Sequence, residues 1–443
     1  MNFNAEDVRR IRRPAFDFVR LLVIAAGVCV AAGRPAAAKE LTEHAREFRE
    51  QLIGKVLPYW YDTAVDWKRG GYLLADNATK TAPPASDRMI VTQARMVWGF
   101  SHVFNQGYRD PQRDYVKAAR VGYEYLVAHF LDPQNGGYYW KTDLDGKPIN
   151  DRKYLYGQSF VIYAFVEYYR ASHDREALER ALSLYRTLQL NCHDVEHGGW
   201  GEHYTADWKL ITRQDDRIEI EIAGLKSANS HLHWMEALTE LYNASRNDDV
   251  KISLAEALRI NMTYFYPPQP DRCAFHRNPD WSFVTDPRSA GLSYGHNVEF
   301  AWLMVRAQQT LGETPSWDHF SALLEHALAH GFDHERGGLY SRGIENLAPT
   351  DTDKVWWAQA EMLAALTESI HHQWNIRHEQ ALHKLINFLQ AFVIDERDGI
   401  WVESVTADGH PRSQSKANDW KANYHDVRAL VKFVEAFGEA PKR

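Results

Sequence analysis

A glycine pair that recurs along the chain is the feature that most constrains its fold. An acidic or polar stretch, two glycines and then aromatic or apolar residues occur at positions 70–71, 136–137, 198–199 and 337–338, with a degraded copy at 398–399. Counted from the second glycine, the steps are 66, 62, 139 and 61 residues, so the long step covers about two units. We therefore expect a sixth, degenerate copy near residues 275–283. Such a period indicates repeated supersecondary units that cannot bury their apolar faces alone.

Helical patterns, mostly in pairs, fill the intervals between these signatures. Apolar residues recur at spacings of three and four, as at Ala94, Val97 and Trp98, which is typical of helices. The patterns cover residues 40–54, 88–106, 113–130, 156–172, 175–191, 227–245, 250–264, 293–312, 318–331, 353–369, 377–394 and 421–437. Six helix pairs joined by short β-hairpins predict an all-α fold, an (α/α)6 barrel with the hairpins at one end. An open solenoid is the alternative, but no linker rich in proline, glycine or serine divides the chain, which favours a single closed domain over residues 39–443.

The first 38 residues carry the pattern of a secretory signal. Several arginines precede a 12-residue apolar run from Leu21 to Ala32, and small residues follow at Ala36-Ala37-Ala38. The run is too short to span a bilayer comfortably, so no stable membrane insertion of the mature chain is expected. We expect a periplasmic or secreted protein that begins near Lys39. A bridge between its two remaining cysteines, Cys192 and Cys273, is left open.

Composition narrows the range of partners. A hydrophobic content of 45% supports a full core, and a net charge of −8 argues against nucleic acid or an anionic membrane. The chain has 15 Trp and 22 Tyr. These rings fit either a large aromatic core or the lining of a sugar site, because the C–H faces of a sugar pack against aromatic rings.

The repeat also predicts where a site lies. In each unit a long polar or aromatic side chain lies on the first helix after the hairpin. These residues are Arg95, Tyr156, His233, His296, Trp357 and His425. Because equivalent positions of a closed repeat face the same way, we expect these six side chains to converge on one mouth of the inner helix ring.

His296 lies in the most distinctive of these stretches, Ser293 to Trp302. Gly295 interrupts the chain before an apolar helical run, which places His296 in the first helical turn with Glu299 on the same face. The partial positive charge of a helix start disfavours imidazolium and keeps His296 neutral near pH 7.

Two pairs of residues are ambiguous on their own. His231 and His233 lie two apart on a helix and diverge by about 200°, so one faces inward with Asn229 or Glu236, and no metal site is expected. The last helix is predicted to open at Trp420, and in it His425 and Arg428 share a face. From this segment alone, Arg428 is predicted to be exposed to solvent.

Two other helices carry side chains that call for a partner or a ligand. Arg95 lies in an apolar stripe and must be paired or functional, since an unpaired buried charge is costly. Of the adjacent Trp356 and Trp357, one is expected in the core and the other free to stack on a ring.

Together these stretches resemble the N-acylglucosamine 2-epimerase superfamily, most closely its cellobiose 2-epimerase branch. The resemblance covers nearly the whole mature chain in the family's order and implies the same (α/α)6 fold. Three positions depart from the branch: Ala358 and Asn423 replace proline, and Asp426 replaces asparagine. The matching segments are 93–95, 156–160, 229–233, 293–299, 356–361 and 420–428.

The resemblance implies epimerisation of a reducing mono- or disaccharide at C2. Removing the proton beside the aldehyde and returning one to the opposite face calls for two acid/base groups, and histidines suit this task near neutral pH. The resemblance assigns His296 and His425 as this pair and Arg95 to the oxyanion of the enediolate. No metal or other cofactor is implied.

The resemblance also implies the surrounding site. His233, counted with the catalytic set, joins residues that hold sugar hydroxyls or orient the imidazoles: Tyr156, Asn229 and Glu299. Trp357 and Trp420 stack on the sugar rings.

Three alternatives stay open. An aldose–ketose isomerase would return the proton to C1 instead of C2 of the same intermediate. A glycoside-cleaving enzyme would need paired carboxylates, for which Glu299 and Glu361 are the candidates. A sugar-binding protein would leave its ligand unchanged. The sequence also leaves a monomer and a homodimer open.

The signal pattern predicts that the exported protein begins near Lys39. N-terminal sequencing of protein recovered from outside the cytoplasm checks this. A cytoplasmic product that retains Met1 would contradict it.

Overall fold

A computed structural model of the chain describes residues 39–286, 289 and 291–438. Twelve helices alternate between an outer and an inner ring, which confirms the predicted (α/α)6 barrel. The predicted signal segment lies outside the described residues. Among those residues, no helix combines the length and the apolar character that crossing a membrane requires.

Odd-numbered helices form the outer ring and even-numbered helices the inner ring. Each inner helix packs against the next, and α12 packs against α2. The inner helices are buried on nearly all sides, whereas the outer ones bury one stripe each, the pattern expected of a core helix and an amphipathic helix. The helices are α1 (39–64), α2 (Ile90–Asn105), α3 (Tyr115–Tyr125, continued by Leu126–Phe130), α4 (Leu155–Ser172), α5 (Arg175–Cys192), α6 (Ala228–Ser245), α7 (Asp248–Ile260, continued by Asn261–Phe265), α8 (Tyr294–Leu311), α9 (Trp317–His326, continued by Ala327–Gly331), α10 (Trp356–His372), α11 (Ile376–Phe388, continued by Leu389–Val393) and α12 (His425–Phe437).

Short antiparallel strands lie at the end of the barrel where the inner helices begin. They pair as β14–β1, β2–β3–β4, β5–β6, β7–β8, β9–β10 and β11–β12–β13. Because β1 near the start of the domain pairs with β14 near its end, the ring of hairpins closes. The strands are β1 (Asp76–Asn77), β2 (Asp87–Met89), β3 (Lys141–Asp143), β4 (Pro148–Asn150), β5 (Lys153–Tyr154), β6 (His203–Tyr204), β7 (Lys226–Ser227), β8 (His276–Arg277), β9 (Leu292–Ser293), β10 (Arg342–Gly343), β11 (Lys354–Val355), β12 (Ser404–Val405), β13 (Pro411–Ser413) and β14 (Ser415–Ala417).

An ion pair with a buried cation lies beneath each of the five recognisable glycine turns. An aspartate before the glycines accepts N–H groups of the turn and pairs with a lysine or arginine on the strand that leads to an inner helix. A buried charge is tolerated here because it is paired and hydrogen-bonded. The pairs are Asp66–Arg88 (2.6 Å), Asp132–Lys153 (2.7 Å), Asp194–Lys226 (2.7 Å), Asp333–Lys354 (2.8 Å) and Asp395–Lys416 (2.8 Å).

The sixth copy has lost both the glycines and the ion pair. Its turn spans residues 266–274, just before the predicted 275–283, because Ala274 N–H donates to Phe265 O in the way that Tyr139 N–H donates to Phe130 O. Three prolines replace the glycine pair, and Leu292 of β9 stands where other copies carry a cation.

Two predicted helix boundaries were wrong by four residues or more. Helix α1 continues to residue 64 rather than 54, through a π-helical turn at Leu52–Val56. Helix α12 begins at His425 rather than 421, because Tyr424 leaves the helical region at φ −120° and ψ −82°. Trp420 therefore lies on a loop. Cys192 and Cys273 are both free thiols.

Removing the lysine of one buried pair should destabilise the fold strongly. Lys153 and Asp132 have side chains only 0% and 2% exposed, so Lys153→Met leaves a buried carboxylate without its cation at a cost of about 3–5 kcal/mol. Guanidinium chloride unfolding measures this loss. The matched control Lys209→Met removes an exposed partner of Asp207 and should leave stability unchanged; equal losses in the two variants would contradict the assignment.

Candidate active site

One cavity of about 550 Å³ opens at the end of the barrel that carries the hairpins. Each inner helix contributes to its wall, because the hairpins place the first turns of these helices around a common mouth. The cavity brings together all nine site residues predicted from the sequence: Arg95, Tyr156, Asn229, His233, His296, Glu299, Trp357, Trp420 and His425.

His425 is held by a carboxylate behind it. Its Nδ1 lies 2.7 Å from Oε1 of Glu361, and because an ionised carboxylate only accepts, Nδ1 carries the proton and donates it. The Nε2 atom then keeps its lone pair. Burial, followed by Arg95 and Arg428, lowers the pKa of His425 well below its usual value.

His296 is held at both ring nitrogens. Its Nδ1 lies 2.8 Å from Oγ of Ser293, the N-cap of α8, and its Nε2 lies 3.2 Å from Oδ1 of Asn229. The pKa of His296 is well below its usual value, mainly because the ring is buried, and then because His233, Arg342 and His425 disfavour a further positive charge.

Trp357 lies near both imidazoles. Its ring is 4.6 Å from that of His296 in an edge-on arrangement and 5.9 Å from that of His425. Gly295 allows this position, because a Cβ atom there would come within 2.6 Å of the indole ring. Trp356 is also close to the cavity but is 6% exposed and packs in the core.

Arg428 organises the layer beneath the cavity. Its guanidinium bonds to Oε1 of Glu236, lies 2.7 Å from Oε1 of Glu299 and 2.8 Å from Oε1 of Glu361. Burial alone would raise the pKa of Glu236, but Arg428 and His233 outweigh it and lower that pKa to about 2. Burial and then Glu361 raise the pKa of Glu299 well above its usual value. One cation therefore serves three carboxylates, of which Glu299 is the one that favours the neutral acid.

Glu299, Glu361 and His425 form a buried group whose ligand atoms lie within 4.8 Å of one another. Such a set could hold a cation. The Nη2 atom of Arg428, however, already lies between the two carboxylates at hydrogen-bond distance from each, so the guanidinium provides the positive charge that a metal would otherwise supply.

Arg95 is a buried cation with neutral partners. It donates from Nη1 to the carbonyl of Trp420 (2.8 Å) and from Nη2 to the hydroxyl of Tyr156 (2.9 Å), and it lies over the rings of Phe160 and Tyr424. No carboxylate of the described residues forms an ion pair with it. Burial raises the pKa of Tyr156 to about 12 although Arg95 opposes this. The wall of the site therefore carries a buried positive charge that is held by neutral groups.

His233 faces the cavity and His231 does not. His233 Nδ1 donates to Oε2 of Glu236 at 2.9 Å, while His231 bonds to the carbonyl of Ser227 and accepts from Trp200 N–H. The helical divergence of this pair is confirmed.

Sequence reasoning misjudged Arg428 and missed Glu221. Arg428 was expected in solvent but is 5% exposed; its three glutamates come from other helices, so no local pattern could show them. Glu221 lines the cavity from a long loop. The sequence prediction used equivalent positions of the repeats, and this loop lies outside them.

Comparisons with known proteins found relatives that match most of the chain. The sequence model of the N-acylglucosamine 2-epimerase (GlcNAc 2-epimerase) family matches residues 70–429. The chain is 27% identical to the cellobiose 2-epimerase of Dictyoglomus turgidum over 398 residues, 88% of this chain and 97% of that protein. It is 22% identical to the D-mannose isomerase of Marinomonas mediterranea over 414 residues, 88% and 97% of the two chains. The solved cellobiose 2-epimerase of Spirochaeta thermophila superposes with a TM-score of 0.80 at 28% identity, over 90% and 98% of the chains.

The lowered pKa of His296 predicts a measurable pH dependence of stability. Below about pH 6.5 the unfolded chain takes up the proton that the folded imidazole resists, so acidification favours unfolding by up to about 1.4 kcal/mol per pH unit for each such group. His296→Gln should flatten the slope of unfolding free energy against pH between about 6.5 and 5 by one proton equivalent. His371→Gln, at an exposed position of α10, is the control, and an unchanged slope in His296→Gln would contradict the prediction.

Proposed function

The chain belongs to the N-acylglucosamine 2-epimerase family, and on that premise we propose that it interconverts glucose and mannose at the reducing end of a cellobiose-type disaccharide by proton transfer at C2. The broader class, a sugar epimerase or isomerase, follows from its relatives. The cellobiose-type substrate and the two-histidine chemistry are the parts that we propose.

The observation that carries this proposal is the placement of two imidazoles in one cavity. His296 and His425 line it from α8 and α12, and both lie near Trp357. A C2 epimerase needs an acid/base group on each face of one carbon, because a single fixed base can serve only one face. Two imidazoles on the wall of one cavity support this assignment.

In the proposed reaction the sugar enters as its open-chain aldehyde. The Nε2 lone pair of one neutral imidazole removes the C2 proton, and the electrons move onto the carbonyl oxygen to give an enediolate. The conjugate acid of the other imidazole returns a proton to the opposite face. His425 is among the groups that lower the pKa of His296, so protonation of one disfavours the other, which suits a pair that shares one proton.

Arg95 supplies the charge that the enediolate requires. The protein groups that bond to its guanidinium are neutral, and the enediolate oxygen is the anion that would offset its charge. A preorganised cation of this kind stabilises charge where it develops. His233, Tyr156, Asn229 and Glu299 hold sugar hydroxyls or the imidazoles, and the rings of Trp357 and Trp420 pack against the two sugars.

Aldose–ketose isomerisation is the second candidate, favoured by the similarity to a D-mannose isomerase. The enediolate is common to both reactions. Protonation at C1 gives the ketose, whereas protonation at C2 gives the epimer.

The site gives less support to glycoside cleavage. Glu299 and Glu361, the candidate carboxylates, lie close together, but of these two only Glu299 lines the cavity. Both oxygens of Glu361 are occupied, Oε1 by His425 and Arg428 and Oε2 by the indole N–H of Trp302. The candidate pair Glu299 and Glu361 is therefore not available to flank a scissile bond.

Incubation with cellobiose in heavy water tests the reaction. The expected product is the glucosyl-mannose epimer with deuterium at C2, resolved by chromatography and mass spectrometry. A ketose product would establish the isomerase instead, and an unchanged disaccharide without deuterium would contradict both.

Replacing either histidine tests the assignment of the bases. A positioned acid/base group contributes about 10²–10⁴-fold, so His296→Ala and His425→Ala should each lose at least that factor in turnover while circular dichroism shows a folded protein. His371→Ala should keep the parent rate. Near-normal epimerisation by either site variant would rule out its histidine.

A further inference from the structure

A continuous chain of hydrogen bonds reaches His296 from a loop outside the six repeat positions. Oγ of Ser289 lies 3.2 Å from Nδ1 of His276, and Nε2 of His276 lies 2.8 Å from Oε2 of Glu221. The second oxygen of that carboxylate, Oε1, accepts from Nδ2 of Asn229 at 2.9 Å. Asn229 Oδ1 then lies 3.2 Å from Nε2 of His296.

The chemistry of these groups fixes the direction of every bond between Glu221 and His296. An ionised carboxylate only accepts, so the amide of Asn229 must present its NH₂ to Glu221 and its oxygen to His296. An amide oxygen also only accepts. The Nε2 atom of His296 therefore carries the proton, and its Nδ1 atom accepts the hydroxyl proton of Ser293.

His425 rests in the opposite tautomer. Its proton is on Nδ1, where Glu361 accepts it at 2.7 Å, and its Nε2 lone pair is free. The two imidazoles of the site are thus held differently. His425 bonds directly to a carboxylate, whereas His296 bonds to an amide that a carboxylate orients.

We propose that Glu221 is a positioning residue that holds His296 in its Nε2–H tautomer through Asn229, and that a sugar hydroxyl must take over the Asn229 oxygen before His296 can act as a base. Once that hydroxyl donates to Oδ1, the imidazole exchanges its proton with water and carries it on Nδ1. Ser293 Oγ, whose hydroxyl rotates, then accepts from Nδ1, and the Nε2 lone pair is free to remove the C2 proton. This inference rests on the proposed function, because the tautomer matters if His296 removes the C2 proton. Its test does not require turnover.

The backbone at Glu221 supports a specific role. Its φ is +60°, a left-handed value that residues other than glycine rarely adopt. Its side chain is only 3% exposed. Such a conformation persists only where the surroundings hold it. The bonds from His276 and Asn229 hold it here, at the wall of the cavity.

Nitrogen-15 NMR of histidine-labelled protein at pH 7.5 reads the tautomer directly, because a protonated ring nitrogen and one with a lone pair give separate shifts. The His296 signals are assigned by their disappearance in His296→Gln. In the parent protein we expect a protonated Nε2 at His296. Glu221→Met removes the acceptor that orients Asn229, so the Nδ1–H tautomer should gain population. An Nδ1–H ring in the parent, or an unshifted Nε2–H ring in Glu221→Met, would overturn the proposal.

Two further variants separate this role from general disturbance of the site. Glu219→Met removes a carboxylate from the same loop and cavity that bonds to Lys141 and Asn150 instead, and it should leave His296 as Nε2–H. Ser293→Ala removes the partner of Nδ1 but keeps the Asn229 oxygen, and it too should retain Nε2–H. A tautomer change in either variant would show that Glu221 and Asn229 do not set it.

The release of His296 from Asn229 is tested by binding an unreactive analogue of the substrate. The alditol of cellobiose keeps the hydroxyls of the substrate but has no aldehyde and cannot react. At saturation it should move the His296 proton to Nδ1. Retention of Nε2–H in the saturated complex would overturn the release step. Because none of these spectra depends on turnover, failure of the proposed reaction and failure of this inference are distinguishable.

Discussion

The interaction on which the site depends is the burial of one guanidinium, that of Arg428, against three glutamates from three other helices. Through Glu361 it fixes the carboxylate that orients His425, and through Glu236 it fixes the one that orients His233. Buried charges are tolerated only when paired and hydrogen-bonded. The cluster therefore ties α6, α8, α10 and α12 together directly beneath the cavity, and the orientation of two imidazoles follows from it.

The barrel explains how residues far apart in sequence reach one cavity. Each unit ends its outer helix, turns at the hairpin and starts its inner helix at the same end of the ring, so the first turns of six helices surround the mouth. The buried aspartate pairs hold five of the six turns in register. The sixth unit, which leads to His296, has lost its pair, and Ser289 and His276 lie in this part of the chain.

The regular spacing of the repeats made most of this arrangement predictable from the sequence. It identified the inner helices, the end of the barrel and the polar residue that each helix presents, because equivalent positions in a closed ring have equivalent surroundings. It could not predict partners that cross the ring. Arg428 resembles a surface arginine until its glutamates from other helices are known, and Glu221 belongs to a loop that has no counterpart in the other units. The lysines beneath the glycine turns also repeat, at Lys153, Lys226 and Lys354, two residues before an inner helix, and this signal was available but was not used.

The central claim is that His296 and His425 address opposite faces of the same carbon. A crystal structure of the protein with the alditol of a reducing disaccharide tests it most directly, because the ligand keeps C2 and its hydroxyl but cannot be turned over. The account predicts C2 between the two rings, with an imidazole nitrogen within reach of each face. Both imidazoles on one face of C2, or a C2 atom beyond the reach of either ring, would contradict it.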